Sequence, residues 1–422
     1  MGHRVVIIDM EAICPLGDNF QKILSSIKNA NSAARMIDIF PAEGYPSHIG
    51  CQIPDDCYSQ ALHEYSRIGG IHADRKTVLG MVGTERLMRR NCDFICKLPG
   101  DSMAISLGVG INSIDFKLLL QYFQSRKAGH LAGFYREMHD KNEYTQIPGD
   151  YVANWAAKRY GFHGFMHTNF SACASSTQAL GVAFRWISSG KALCVLTGGL
   201  DSILNPIGIA GFNLLGTLSA RNESPQSASR PFDQDRDGFV PGEGCAFFLL
   251  TSYEYAKLCG ATIYGEICGY GTSMDSYKVT APDPEGIGAA RAMRGAMAEA
   301  GWDTTDVDYI NAHGTATKLN DVMETKAIKS VFGRHSYEIF ISSCKSQMGH
   351  LIASSGAVES AVCLEAIRNG IIPATINLDN PDRDCDLNYV PVKPIKTVVK
   401  RFLKNSFALG GQNATLAFYM MS

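Results

Sequence analysis

The chain has 422 residues, 45% of them hydrophobic and 19% charged, enough apolar material to bury one large core or two fused ones. Its 39 basic and 41 acidic residues leave a formal charge of −2, so the charge balance gives no reason to expect nucleic acid or an anionic membrane as partner. The 13 cysteines are odd in number and irregularly spaced, and no signal-peptide pattern precedes them, which predicts a reducing, cytoplasmic setting rather than a disulfide framework.

In chain order, Val5-Val6-Ile7-Ile8-Asp9 reads as a first buried strand. Cys92 and Cys96 stand one helical turn apart, but no second pair completes a metal site, so no metal is expected. Residues 102–108 read as a strand. Residues 111–150 follow, rich in Lys, His, Tyr and Gln, and their composition fits a partly helical, partly exposed cap. Next comes Asn169-Phe170-Ser171-Ala172-Cys173-Ala174-Ser175-Ser176, running into a helix-compatible stretch at 177–187. That pattern predicts a strand-to-helix corner, where the helix N-terminus favours the thiolate of Cys173 over the thiol.

Residues 192–196 and 245–251 complete the strands of a first half, and 264–270, 309–312, 339–342 and 415–420 those of a second, with the division near residue 252. Short apolar strands alternating with longer helical patterns predict an α/β protein with largely parallel sheets. No run of about eighteen uninterrupted apolar residues occurs, so no transmembrane helix is expected.

A single cysteine is ordinarily a small buried hydrophobe. Cys173 stands out because His313-Gly314-Thr315-Ala316-Thr317 and Lys345-Ser346-Gln347-Met348-Gly349-His350 each supply a histidine beside glycine. Together with Arg230-Pro231-Phe232-Asp233, Arg236-Asp237-Gly238-Phe239-Val240, Gly242-Glu243-Gly244 and Asn405-Ser406-Phe407 running into Gly410-Gly411-Gln412-Asn413, these segments resemble the β-ketoacyl-[acyl-carrier-protein] synthases of the thiolase-like superfamily, in their elongating Cys-His-His form. The resemblance spans nearly the whole chain. It implies a thiolase-like five-layer α-β-α-β-α sandwich of two similar halves. Residues 1–252 would carry the nucleophilic cysteine and the cap, residues 253–422 both histidines, and the active site would lie between them.

The chemistry that the resemblance implies is a decarboxylative Claisen condensation. Cys173 would take an acyl chain from a thioester, splitting a hard condensation into two easier steps. His313 and His350 would direct N–H donors at the enolate oxygen formed as a malonyl thioester loses carbon dioxide. Backbone N–H groups of Cys173 and Phe407 would hold the second oxyanion, with the Phe407 ring as gate. Lys345 would orient the histidines and Glu359 anchor that network. Thr315, Thr317 and Thr280 would meet the phosphopantetheine arm, and Ile111 would stand at the end of the acyl pocket. Asp321, Glu324 and Glu243 are expected to be architectural, since carboxylates beside an enolate would oppose its charge. No metal or redox cofactor is implied, because the phosphopantetheine arm arrives on an acyl carrier protein. That carrier is acidic, so a basic rim is expected, with Arg75 and Lys76 as candidates.

Departures from the resemblance concentrate near the expected gate. Ala408-Leu409-Gly410-Gly411 stands where elongating relatives usually have glycine-phenylalanine-glycine-glycine, Gln412 precedes Asn413 in place of threonine, and Asn169-Phe170 precedes Ser171 where smaller residues are usual. They point to a specialised branch, polyketide or polyene rather than fatty acid synthesis, acting as a homodimer or as a heterodimer with a chain-length-factor-like homologue. A condensation-silent acyltransferase on the same fold is the alternative. His350 argues against a starter-condensing enzyme and Cys173 against a non-catalytic chain-length subunit.

Overall fold

The computed structural model describes residues 2–70, 74–111, 113–114, 116–141 and 146–421. Ten strands form its main sheet: β1 (Val5–Ile13), β2 (Met103–Val109), β3 (Met166–Asn169), β4 (Cys194–Ser202), β5 (Glu243–Ser252), β6 (Gly265–Met274), β7 (Tyr309–Asn311), β8 (Phe340–Ser342), β9 (Arg401–Phe407) and β10 (Gln412–Tyr419). Seven helices matter for the site: α1 (Arg75–Arg90), α2 (Phe116–Lys127), α3 (Leu131–Lys141), α4 (Ser175–Ser188), α5 (Ile287–Ala300), α6 (Lys318–Phe332) and α7 (Ser355–Arg368). Helices α2 and α3 fall in the stretch expected to form a cap, of which residues 112, 115 and 142–145 lie outside the described residues.

The strand order, β8-β7-β9-β10-β6-β1-β5-β4-β2-β3, contains an internal repeat. Outward from the central β1/β6 pair, one half runs 1-5-4-2-3 and the other 6-10-9-7-8, the same order shifted by five. Pairing senses repeat as well. β2 is parallel to β3 and β4, β7 is parallel to β8 and β9, and every other neighbouring pair is antiparallel. The sheet is therefore mixed, not largely parallel as the alternation of elements suggested. Each half returns its last strand beside its first, and a strand buried on both faces reads as a continuous apolar run whichever way it points.

Side-chain alternation then builds the layers. Val5 and Ile7 of β1 and Phe248 and Leu250 of β5 face an inner core that also holds Leu180 and Phe184 of α4, Val358 and Val362 of α7, and Leu416 of β10. Val6, Ile8, Phe247 and Leu249 point the other way, onto Val78 and Val82 of α1. In the second half Ile310 and Leu403 face Met293 of α5 and Ile328 of α6. Helices outside, sheet, α4 with α7, sheet, helices outside: these are the five layers. No helix among the described residues is long and apolar enough to cross a membrane.

The two inner helices are each 14 residues long and each follows a single 3-10 turn, Ala172–Ala174 before α4 and Ile352–Ser354 before α7. Ala172 (φ 45°) and Ile352 (φ 46°) occupy the left-handed region at matching places, so both elbows carry the same backbone strain. The helices meet closely at Gly356, where a Cβ would lie 2.0 Å from Thr177 Oγ1 and 2.9 Å from the Thr177 backbone nitrogen. Gly356→Ala is therefore expected to destabilise the fold by about 1–3 kcal/mol through overpacking. Urea unfolding checks this: the midpoint should fall, and an unchanged midpoint would mean that the inner helices separate at no cost.

Candidate active site

The first elbow delivers Cys173, the loop after β7 delivers His313, and the segment ahead of the second elbow delivers His350. All three are buried, and the Cys173 sulfur and one ring nitrogen of each histidine lie within 4.8 Å of one another. Cys173 Sγ is 3.1 Å from His350 Nε2, and the two imidazoles meet edge to face with centroids 5.3 Å apart.

The hydrogen bonds around His350 decide its tautomer. The Ile352 N–H donates to Nδ1 at 3.3 Å. Ser355 Oγ accepts from the Leu351 N–H at 2.9 Å and is left to donate its own hydrogen to Nδ1, also at 2.9 Å. Nδ1 is thus an acceptor, so the neutral ring carries its hydrogen on Nε2, pointing at the cysteine sulfur.

His313 is placed from behind by two carboxylates of α6. Glu324 accepts from the backbone N–H groups of His313 and Gly314, both at 2.8 Å, and Asp321 from Thr315 at 3.1 Å and Phe232 at 2.8 Å. Both acids are fully buried and spend their oxygens on the chain, which is the architectural role expected of them. Glu243 behaves likewise, accepting from Arg75, Ser202 and the Ile53 N–H.

Behind the histidines lies a buried charge cluster. Glu359 of α7 has Lys345 Nζ 2.6 Å from one oxygen and Lys404 Nζ 2.8 Å from the other. Burial, and then the charge of Lys345, hold both imidazoles well below the usual histidine value; His350 further lowers His313, and Lys404 adds to the effect on both. Cys173 goes the other way. Burial pushes its thiol up to about 11, against the downward pull of Lys345 and of the Leu409 and Cys173 backbone N–H groups. The corner at a helix N-terminus is present as expected, but desolvation outweighs it, and the resting group is the thiol.

A cavity of about 310 Å³ leads to these three residues, and Thr280, Thr315, Thr317 and Phe407 are among its lining, so the site groups predicted on the second half converge. Thr315 and Thr317 share a hydrogen bond at 2.9 Å. Phe407 ends β9, paired with Asn413, and its ring lies 6.0 Å from that of His313; the backbone N–H of Leu409, in the turn beyond the strand, bears on the Cys173 thiol. Ile111 does not line the cavity: it is 78% exposed, and its carbonyl accepts from the buried Lys76 ammonium at 2.7 Å. Arg75 and Lys76 do not form a basic rim. Arg75 binds buried Glu243 and stacks on Tyr58 at 3.7 Å, while Lys76 is 3% exposed. The cavity mouth carries exposed Leu215 and Leu319 with Lys318 instead.

Two contributors escaped the sequence reading. Lys404 sits inside a strand that the apolar pattern did not reveal, and its one signal was a lysine standing between Leu403 and the Asn405-Ser406-Phe407 motif. Leu409 had been noted only as a departure in the gate segment.

Comparison with known proteins settles the family. The β-ketoacyl synthase N-terminal domain matches residues 2–256 and the C-terminal domain residues 264–379. The chain belongs to the β-ketoacyl synthases. A 3-oxoacyl-[acyl-carrier-protein] synthase 2 of Synechocystis sp. is 36% identical over 98% of this chain and 97% of its own length. The enzyme of the same name from Coxiella burnetii is 33% identical over 98% of both. Among solved structures, a type II polyketide ketosynthase bound to a hexaketide, in complex with its acyl-carrier protein, superposes with a TM-score of 0.87 at 29% identity, covering 100% of both chains. The ishigamide ketosynthase/chain length factor gives 0.84 at 28%, again over 100% of both.

As a β-ketoacyl synthase the protein catalyses decarboxylative condensation on carrier-bound acyl chains, an acyltransferase-class reaction that needs no metal or small cofactor of the enzyme's own. Its thiol should be slow to ionise. Alkylation of Cys173 by iodoacetamide is expected to keep accelerating from about pH 8 to about pH 10, and Lys345→Met, which removes the cation that pulls the thiol down, should slow it further at each pH. A rate that levels off below about pH 8 would contradict the dominance of burial.

Proposed function

We propose that Cys173 is the acyl-carrying nucleophile and that His313 and His350 are the two N–H donors to the malonyl-derived enolate. The observation that carries this reading is the His350 Nε2–H directed at Cys173 Sγ across 3.1 Å, with His313 alongside. The Cys173 sulfur takes the acyl group from one carrier thioester, and the proton that its thiol gives up leaves on the freed carrier thiol. Malonyl carrier then enters the emptied site and releases carbon dioxide, and the charge left on its thioester oxygen is met by the two imidazoles. The enolate carbon attacks the Cys173 thioester, and the tetrahedral oxyanion is received by the backbone N–H groups of Cys173 and Leu409. Collapse expels the thiolate and leaves a ketoacyl carrier two carbons longer.

Lys345 and Glu359 hold the histidines, Phe407 packs beside His313, and Thr280, Thr315 and Thr317 meet the phosphopantetheine arm in the cavity. In this reading residues 1–252 supply the nucleophile and the cap, and residues 253–422 both histidines.

The protein works in the cytoplasm, where its free thiols stay reduced. It acts with an acyl carrier protein and as a dimer, either with itself or with a chain-length-factor-like homologue. An apolar edge supports the dimer: β3 is the last strand of the sheet, and Phe165, Met166 and Phe170 along it are about half exposed. Ile111 would close the acyl pocket only once such a partner covers it. The polyketide or polyene assignment draws on the structural neighbours and on the altered gate turn. Fatty acid synthesis is the second reading, favoured by the 36% identity to a 3-oxoacyl synthase.

Intact-protein mass spectrometry with acyl-loaded carrier, then malonyl carrier, tests the assignment. Wild type should gain the acyl mass and lose it as a ketoacyl carrier appears; Cys173→Ala should do neither. His313→Ala and His350→Ala should still be acylated but condense on the order of 10²–10³-fold more slowly. Acylation without any extension, even with a partner subunit supplied, would support the acyltransferase alternative. Loading with saturated against polyene or polyketide chains separates the two pathways.

A further inference from the structure

Lys404 lies on β9 with its side chain wholly out of solvent, an unusual place for a lysine. Its ammonium donates to the Asn405 carbonyl and to Ser406 Oγ at 3.3 Å, and forms an ion pair with Glu359 Oε2 at 2.8 Å. Ser406 Oγ in turn meets Thr177 Oγ1 at 2.7 Å, on the first turn of the helix that follows Cys173. Lys345 already lies 2.6 Å from the other oxygen of Glu359. Lys345 and Glu359 alone would form a neutral pair. With Lys404 protonated the buried cluster carries one net positive charge; burial pulls the Lys404 ammonium below the usual lysine value, the Glu359 carboxylate pulls it back up, and Lys345 opposes it.

We propose that Lys404 is a positioning residue of the condensation: it ties the Lys345–Glu359 pair to the nucleophile's helix through Ser406 and Thr177, and it places an uncompensated cation behind His313 and His350. The proposal rests on the roles given to those histidines above.

The charged and titratable groups around it are few. Lys404 faces Glu359 and Cys363 of α7 and the ammonium of Lys345. His313 faces Lys345, His350 and Lys404, with Glu324 bound to its backbone N–H; His350 faces Lys345, Lys404 and Cys173. Both lysines act on both rings in the same direction, against protonation.

That direction matters to the reaction. A neutral imidazole N–H stabilises the enolate oxygen and keeps its proton. An imidazolium is a stronger acid and can deliver a proton to the enolate carbon after carbon dioxide has left. The malonyl thioester then ends as an acetyl thioester, with no carbon–carbon bond made and the imidazole returned to its neutral form. Lys404 would thus favour condensation over this abortive decarboxylation.

Lys404→Met, at similar length and without charge, tests the proposal in the full-length enzyme with its carrier protein. Ketoacyl-carrier and acetyl-carrier products are to be measured from about pH 5.5 to about pH 8.5. Loss of one buried cation lets the histidine pKa values rise, so the acid limb of condensation should move up by about one pH unit. The ratio of acetyl to ketoacyl product should grow several-fold at low pH. Lys404→Met combined with Glu359→Gln restores a net charge of plus one, and its limb should return towards wild type. Should Lys404→Met fail to fold, the same comparison is read between Glu359→Gln and the double variant, whose limb should lie at higher pH.

An equal loss of rate at every pH, with the limb and product ratio unmoved, would reduce Lys404 to a structural part and overturn the proposal. A double variant whose limb stays with Lys404→Met would overturn its charge argument. Absence of ketoacyl product from wild type would instead count against the functional reading on which the proposal rests.

Discussion

Glu359 is the constraint on which the site depends. A carboxylate fully buried on α7 must be met by cations, and the two that meet it come from different places: Lys345 from the turn before His350, and Lys404 from β9, which runs on to Phe407 and Leu409. One acid therefore pulls together the segment that carries His350 and the strand that ends at Phe407. Both lysines are held there by the one buried carboxylate, so the arrangement is kept by its own desolvation cost. The close approach of α4 to α7 at Thr177 and Gly356 sets the remaining distance, from this cluster to the nucleophile elbow.

Burial also sets the resting chemistry. It keeps the imidazoles neutral and the thiol protonated, states that suit hydrogen-bond donation more than a preformed ion pair. A free thiolate would react with any electrophile entering the cavity. A buried thiol is spared that, while the Leu409 N–H and the His350 Nε2–H lie beside it.

Much of this was legible in the sequence, for a physical reason. Cys173, His313, His350, Lys345 and Glu359 stand in short motifs whose local backbone geometry is demanded by the site: small residues at the elbow, glycine beside each histidine, an apolar run around the acid. What stayed hidden depended on register and distant packing. Lys404 lies in β9, a strand that the apolar pattern did not reveal. Arg75 looked available at the surface until Glu243, far along the chain, neutralised it. The antiparallel centre of the sheet could not be read from alternation, because strand direction is fixed by which strand returns beside which. Leu409 stayed hidden because the strand ends at Phe407 and the turn beyond it, not the strand, reaches back toward Cys173.

The repeated strand order and the twin elbows describe two copies of one half-sized unit joined in a single chain. An ancestor that paired such units would have offered two equivalent corners, each with a backbone N–H group exposed at a helix start. Here only the first remains open. At the second, where Ala353 occupies the nucleophile's place, the backbone N–H is bonded to the buried carboxylate of Asp201 at 3.0 Å. Asp201 acts as an internal plug, its buried carboxyl group, with a pKa pushed up by desolvation, filling the space in front of that N–H. The second corner is thereby closed by the protein's own carboxyl group, and the turn that it closes serves as the mount from which His350 reaches Cys173 at the first.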